Sequence, residues 1–413
     1  IFVYDNLGKL NEKKYWEQAI DVEHIEEPFG ITDIQAAYLV GRDPNFELGG
    51  IGTHIYSEIE TKFKISQLNN AINLLVKRHP MLRCVFLTET QQQRILKEVP
   101  EYTIKVKDIS ALDYESQQKE ILLERERMSH FVFDPSHWPL FEMTALKISE
   151  NKNYLFFGYD MLIADGLSIR IFEKELVDYC NNKKLPPINF TFRDYIIAYE
   201  KFKETDVYLT DKKYHLATID ELPLAPSILL KKNPATIGIP FFKRKKHVFS
   251  KECWAKLKNV ARSNQVTPTT LLCTAYAYML NFWCTQNEFT INLTVFNRYP
   301  FSKDINKLIG DFTSVILLDF DFSCKENFKA LMLKAQKKLI DKLEHRHFDG
   351  VSIIRELAKR RNLGTQSLMP IVFTSMLFDE KVEEMGVEER LGDFTFGASQ
   401  TSQVFLDNQI TET

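Results

Sequence analysis

Two carboxylates and a hydroxyl stand together in the pattern Asp160-x4-Asp165-x2-Ser168, where an apolar run, 154–159, gives way to an amphipathic one. Acid/base chemistry needs carboxyl groups held in this way, away from bulk water. The same residues also have a structural use: Asp165 and Ser168 can cap a helix, and Asp160 can take a basic partner. Burying two ionised groups at one junction is costly unless each finds a cation or hydrogen bonds. Asn297-Arg298 supplies a cation of the kind a buried aspartate requires. A second set lies near the C-terminus. Thr374 and Ser375 close an apolar run, 370–378, while Asp407, Asn408 and Gln409 close another that begins at Val404. Taken singly, these residues fit ordinary strands and turns just as well, and Gly310-Asp311-Phe312-Thr313 reads as a turn entering a strand.

The elements that must hold these groups alternate between helix and strand. Residues 154–159 are apolar enough for a strand buried on both faces, and Leu167, Ile169, Ile171, Phe172, Leu176 and Tyr179 form the stripe of the helix that follows. Earlier, Ile65, Leu68, Ile72 and Leu75 mark a helix stopped by Pro80, with strands expected at 81–87, 94–99, 103–106 and 141–148 and a polar helix over 114–128. The proline-closed stretch 181–187 suits a linker, dividing the chain into halves 1–187 and 188–413. In the second half, 251–263, 268–283, 328–343 and 351–361 read as helices and 288–296, 315–320 and 370–378 as strands. Residues 218–239, rich in proline and leucine, read as a long surface connection.

Composition narrows the partners. With 53 basic against 56 acidic side chains, mixed along the chain, no surface is dedicated to nucleic acid. No stretch approaches the roughly 20 apolar residues of a membrane span. Six cysteines, Cys84, Cys180, Cys253, Cys273, Cys284 and Cys324, lack paired spacing and read as reduced core thiols of a cytoplasmic protein. His345-x-His347 sits in a charged stretch that reads as solvated or packed rather than metal-binding. Gly49-Gly50-x-Gly52 lacks the surrounding strand-helix-strand unit of a nucleotide site and reads as a flexible turn. The chain opens at Ile1 without a charged-then-apolar leader and stops at Thr413, as a part excised from a larger protein would.

Together and in order, these fragments resemble the heterocyclization domains of nonribosomal peptide synthetases, a branch of the condensation-domain superfamily. Asp160-x4-Asp165-x2-Ser168 is similar to that branch's core motif, which replaces the His-His-x3-Asp-Gly of ordinary condensation domains. The opening motif runs from Phe29 through Thr32, Gln35 and Tyr38 to Gly41-Arg42, and the next is Arg78-His79-Pro80. Leu222 to Pro226, Thr267-Pro268 through Trp283, Gly310 to Thr313, Pro370 to Ser375 and Ser399 to Gln409 resemble the later motifs. Departures are Gly30 for a usual proline, Ser302 for a histidine, and Phe405 and Asn408 for Trp and His.

The resemblance implies an α/β fold of two chloramphenicol-acetyltransferase-like lobes forming a V-shaped pseudo-dimer around a central tunnel. It implies no bound cofactor, with substrates carried on the phosphopantetheine of an upstream donor and a downstream acceptor carrier domain, beside an adenylation domain. A donor thioester would be condensed with Cys, Ser or Thr, and the product cyclodehydrated to a thiazoline or oxazoline. Asp407 would be the acid/base, with Thr374 positioning it or stabilising the intermediate. Asn297, Ser375 and Gln400 would be further polar contacts. Asp160, Asp165 and Ser168 would brace the tunnel, with Arg298 partnering Asp165 and Asp160 the nearer of the two to substrate. The alternatives are a domain that stops at the amide and a noncatalytic platform that recruits carriers.

Overall fold

The computed structural model describes residues 24–364, 366–377 and 390–412. Ile1, Phe378 and Thr413, where three of the expected segments begin or end, lie outside them. The elements of the first half are β1 (Phe29–Gly30), α1 (Asp33–Val40), β2 (His54–Thr61), α2 (Ile65–Arg78), β3 (Cys84–Leu87), β4 (Gln92–Ile95), β5 (Lys105–Asp108), α3 (Tyr114–Ser129), β6 (Phe141–Ser149), β7 (Lys152–Asp160) and α4 (Gly166–Cys180). There follow α5 (Phe192–Phe202), α6 (Asp206–Thr218), α7 (Lys251–Ser263), α8 (Pro268–Asn281), β8 (Glu288–Phe296), β9 (Thr313–Asp321), α9 (Phe328–Glu344), α10 (Gly350–Arg361), β10 (Ile371–Met376), β11 (Asp393–Gln400) and β12 (Leu406–Thr411).

Three sheets organise them, in the strand orders β1-β4-β3, β11-β2-β7-β6-β5 and β12-β10-β8-β9. In β7 every residue after Lys152 is buried, so the expected two-sided strand is present. Its alternate residues serve different cores. Leu155, Phe157 and Tyr159 face the main core with α2 and α4, while Tyr154 and Phe156 pack beneath α3 with Met128 and Ile121. Full burial of such a side chain is worth roughly 1.5–3 kcal/mol.

The main core does not stop at residue 187: it takes in Phe312, Val315, Leu317, Ile353 and Leu391 together with Leu68, Leu155 and Phe172. One strand also crosses over. β11 pairs antiparallel with β2, from Gln400 opposite His54 to Asp393 opposite Glu60, and so extends the first-half sheet. The four-stranded sheet has its own core on one face, where Ile291, Leu293, Ile371 and Phe373 meet Tyr276, Ala277 and Leu339 of α8 and α9.

Several local expectations need correction. Residues 80–83 form a 3-10 turn, so the strand expected at 81–87 begins at Cys84. Helices α5 and α6 occupy a stretch for which no element was expected. Cys253 and Cys324 are exposed, although all six cysteines are free. The turn at 49–52 is tightly packed: a Cβ on Gly49 would meet the Asp43 carbonyl at 2.3 Å, and Gly50 has φ of +80°. His345 and His347 are packed against one carboxylate, their Nδ1 atoms 2.9 and 2.6 Å from the two oxygens of Asp211.

Candidate active site

Helix α4 begins at the junction of the two halves. Asp165 caps it, Oδ1 accepting from the Ser168 backbone N–H at 2.7 Å, and both residues are fully buried. The Ser168 hydroxyl stands 2.7 Å from Asp165 Oδ1 and 2.8 Å from the Gly310 carbonyl, and it accepts from the Gly310 N–H at 3.1 Å. Arg298 closes the group. Its Nη2 donates to Asp165 Oδ1 at 2.8 Å and to Ser168 Oγ at 3.0 Å, and its Nη1 donates to the carbonyls of Ile305 and Leu308 at 2.9 Å each. The guanidinium lies 4.0 Å over the Phe312 ring. The partner expected for Asp165 is therefore in place. The bonds of Arg298 and Gly310 to Asp165 and Ser168 tie the first half to the segment 298–312, which makes the cluster a fastening.

Asp160, at the end of β7, is equally buried. Its Oδ2 is bound by Arg42 Nη2, and its Oδ1 accepts from the Leu162 N–H at 3.0 Å. Burial raises its pKa, and Arg42 pulls the other way. Both carboxylates of the motif are thus sealed in ion pairs. Gly52 makes the second pair possible, because a Cβ there would come within 3.3 Å of the Arg42 guanidinium.

The second set of residues converges on the four-stranded sheet. β10 runs parallel to both β12 and β8, with Thr374 opposite Gln409 on one side and Thr294 on the other, and Val372 opposite Asp407 and Asn292. Side chains in register share a face. Asn292, Thr294, Thr374, Asp407 and Gln409 therefore form a polar patch on the side turned away from α8 and α9. The Thr294 and Thr374 hydroxyls are 3.0 Å apart. A Cβ on Gly166 would touch Met376 and Phe296, so the start of α4 abuts the far end of this sheet.

Asp407 is the outlier in this patch. Gln409 Nε2 donates to its Oδ2 at 2.6 Å, whereas Oδ1 is buried and makes no hydrogen bond among the described residues. Burial pushes the carboxyl up to about 6, against the pull of Gln409, the Arg244 charge and the nearby Thr374 hydroxyl. A carboxyl that titrates there can both give and take a proton near neutral pH.

The remaining candidates fall elsewhere. Ser375 points to the opposite face of its strand, its hydroxyl 2.8 Å from that of Thr269. Gln400 lies in the other sheet, donating to the Gly52 carbonyl at 2.9 Å. The Asn297 backbone is fixed by Phe312 and Tyr195, while its side-chain Oδ1 is buried with no hydrogen bond among the described residues. Arg42, Gln409 and Asp311 were quoted in motifs without a role. Asp311 is fully buried, its Oδ2 makes no hydrogen bond among the described residues, and burial holds its carboxyl well above the usual range. Among the described residues no group of His, Cys, Asp and Glu is placed to hold a metal ion, and no helix is long and apolar enough to cross a membrane.

Two lobes fastened by a buried Asp-Arg pair, with a strand exchanged between them and a polar sheet face beside the fastening, define one class. The chain belongs to the condensation-domain family, whose model matches residues 52–405. It has the mixed α/β architecture of solved domains of this kind. It is similar to the cyclization-docking bidomain of EpoB from Sorangium cellulosum, with a TM-score of 0.83 at 28% identity over 94% of this chain and 78% of that one. It is 40% identical to bacitracin synthase 1 of Bacillus licheniformis over 96% of this chain and 8% of that protein. It is 30% identical to phenyloxazoline synthase MbtB of Mycobacterium sp. (strain MCS) over 93% of this chain and 32% of that protein. The chain thus spans less than a third of these two synthetases. Domains of this family work beside carrier and adenylation domains in multidomain synthetases.

Proposed function

We propose that this domain condenses a carrier-bound acyl or peptidyl thioester with carrier-bound Cys, Ser or Thr, and then cyclodehydrates the amide to a thiazoline or oxazoline. The observation that carries this reading is Asp407, a buried carboxyl with one oxygen left without a hydrogen bond, set on a polar sheet face beside Thr374. The similarity to a phenyloxazoline synthase and to a cyclization bidomain supports the same reaction class. The expected lobes are 1–187 and 188–413, the second lending β11 to the first. Holding both substrates on tethered arms makes each encounter effectively intramolecular, an advantage of up to ~7–11 kcal/mol at the best-oriented limit.

Ring closure and water loss are proton transfers that balance around one carboxyl. The acceptor thiol or hydroxyl attacks the amide carbon and its proton passes to the former carbonyl oxygen, giving a ring carbon that carries OH beside a ring nitrogen that carries H. Protonated Asp407 then gives its proton to the departing hydroxyl as the C–O bond breaks. The ring nitrogen's proton returns to the carboxylate as the C=N bond forms, so one water leaves and Asp407 ends as it began. Thr374 positions Asp407 or donates to the oxyanion of the addition step.

The test supplies loaded donor and acceptor carriers and follows the products by intact mass. A product lighter by one water than the amide supports the proposal; amide alone overturns it in favour of simple condensation. Asp407→Asn and Thr374→Ala accumulate the amide, with the ring-forming rate of the first falling roughly 10²–10⁴-fold. Normal ring closure by Asp407→Asn would overturn the assignment of the acid/base.

A further inference from the structure

We infer that Gln409 is the positioning residue of the ring-closing step: its side-chain amide pins Asp407 Oδ2, leaving Oδ1 as the proton-carrying atom, and Ser399 anchors the amide through its second N–H. This rests on the reading of Asp407 as the acid/base. The amide has two N–H bonds, and each has a partner. Nε2 lies 2.6 Å from Asp407 Oδ2 and 2.7 Å from Ser399 Oγ. A carboxylate oxygen only accepts, so the nitrogen end must face Asp407. The Ser399 hydroxyl accepts the second N–H and anchors the amide, while turning the amide over would place the carbonyl of Gln409 against the carboxylate and lose the bond to Asp407.

The sheet register makes the arrangement rigid. Gln409 sits opposite Thr374, two residues beyond Asp407 on the same strand face. Ser399 lies instead on β11, opposite Ile55 in the other sheet. The orientation of the carboxyl is therefore set from two sheets, and Oδ1 is left without a hydrogen bond among the described residues.

The experiment uses Gln409→Met, which keeps the length of the side chain but donates nothing, and Ser399→Ala, with loaded carriers and intact-mass detection. Gln409→Met is expected to lower the ratio of ring to amide by up to about 100-fold, the effect of a misplaced reacting group. It also moves the pH limb set by Asp407 upward, because the ionised form loses a donor. Ser399→Ala is expected to shift both in the same direction by less, and it serves alone if the methionine variant does not fold. Unchanged ring-to-amide ratio and pH limb in the variants overturn the inference, as does an equal fall in amide and ring with the limb unmoved. Asp407→Asn runs alongside: if it closes rings normally, the reading of Asp407 itself has failed, and only when it accumulates amide do the Gln409 results bear on positioning.

Discussion

Asp407, half-buried with its Oδ1 sealed from solvent, and Asp165, fully buried, relate to stability with opposite signs. The folded-state pKa of Asp407 lies above its unfolded value, so the fold binds its proton more tightly, and stability falls as pH rises from about 4 through about 6. Near neutral pH the charge costs on the order of 2–3 kcal/mol. Asp407→Asn should therefore be no less stable than the parent at pH 7.5, with the difference vanishing near pH 4; thermal melts at both values check it. Asp165→Asn leaves Arg298 buried without its carboxylate and should cost roughly 3–5 kcal/mol, read from the denaturant midpoint. An Arg298→Met, Asp165→Asn double variant should recover part of that loss, which a catalytic role for Asp165 would not predict. The residue pairings were unequally legible in the sequence. Arg298 could be matched to Asp165 because a buried cap carboxylate requires a cation and Asn297-Arg298 offers one. Arg42 could not be matched to Asp160, since it stands in a turn-rich stretch that carries no burial pattern.

At the scale of elements, periodicity finds what burial patterns strongly. β7 and α4 are legible because one is apolar throughout and the other keeps a single stripe. Helix α6 is not: its buried positions are Tyr208, Asp211 and His215, and the satisfaction of the last two by His345 and His347 is invisible to a hydropathy pattern. β11 escapes for a related reason, being exposed or half-buried along most of its length. What specifies these segments is close contact, and glycines expose it. A Cβ on Gly41 would lie 1.9 Å from Ser402 Oγ. Gly41→Ala should thus destabilise by about 1–3 kcal/mol, and adding Ser402→Gly should restore much of it, as measured by calorimetric melting. The candidate site divides in the same way. Thr374, Asp407 and Gln409 were reachable from motif order, whereas Asn292 and Thr294 join them only through strand register.

The whole molecule is more unified than its linker suggests. A division at 187 follows from composition and fits the two lobes, yet the main core, the Asp165–Arg298 fastening and β11 all cross it. Heating should therefore give one dominant calorimetric transition that both lobes share; two well-separated transitions, each assignable to a lobe by hydrogen exchange, would contradict this.

The pairing of β2 with β11 also has a consequence in time. These strands are roughly 340 residues apart, a separation that makes their pairing slow to find. At ribosomal rates of about 5–20 residues per second, β2 emerges roughly 20–70 s before its partner exists. Throughout that interval the newborn sheet carries an open edge that includes Ile55 and Ile59, a template for the wrong strand. During synthesis, then, the domain is most exposed to aggregation before β11, and with it Asp407, has been made.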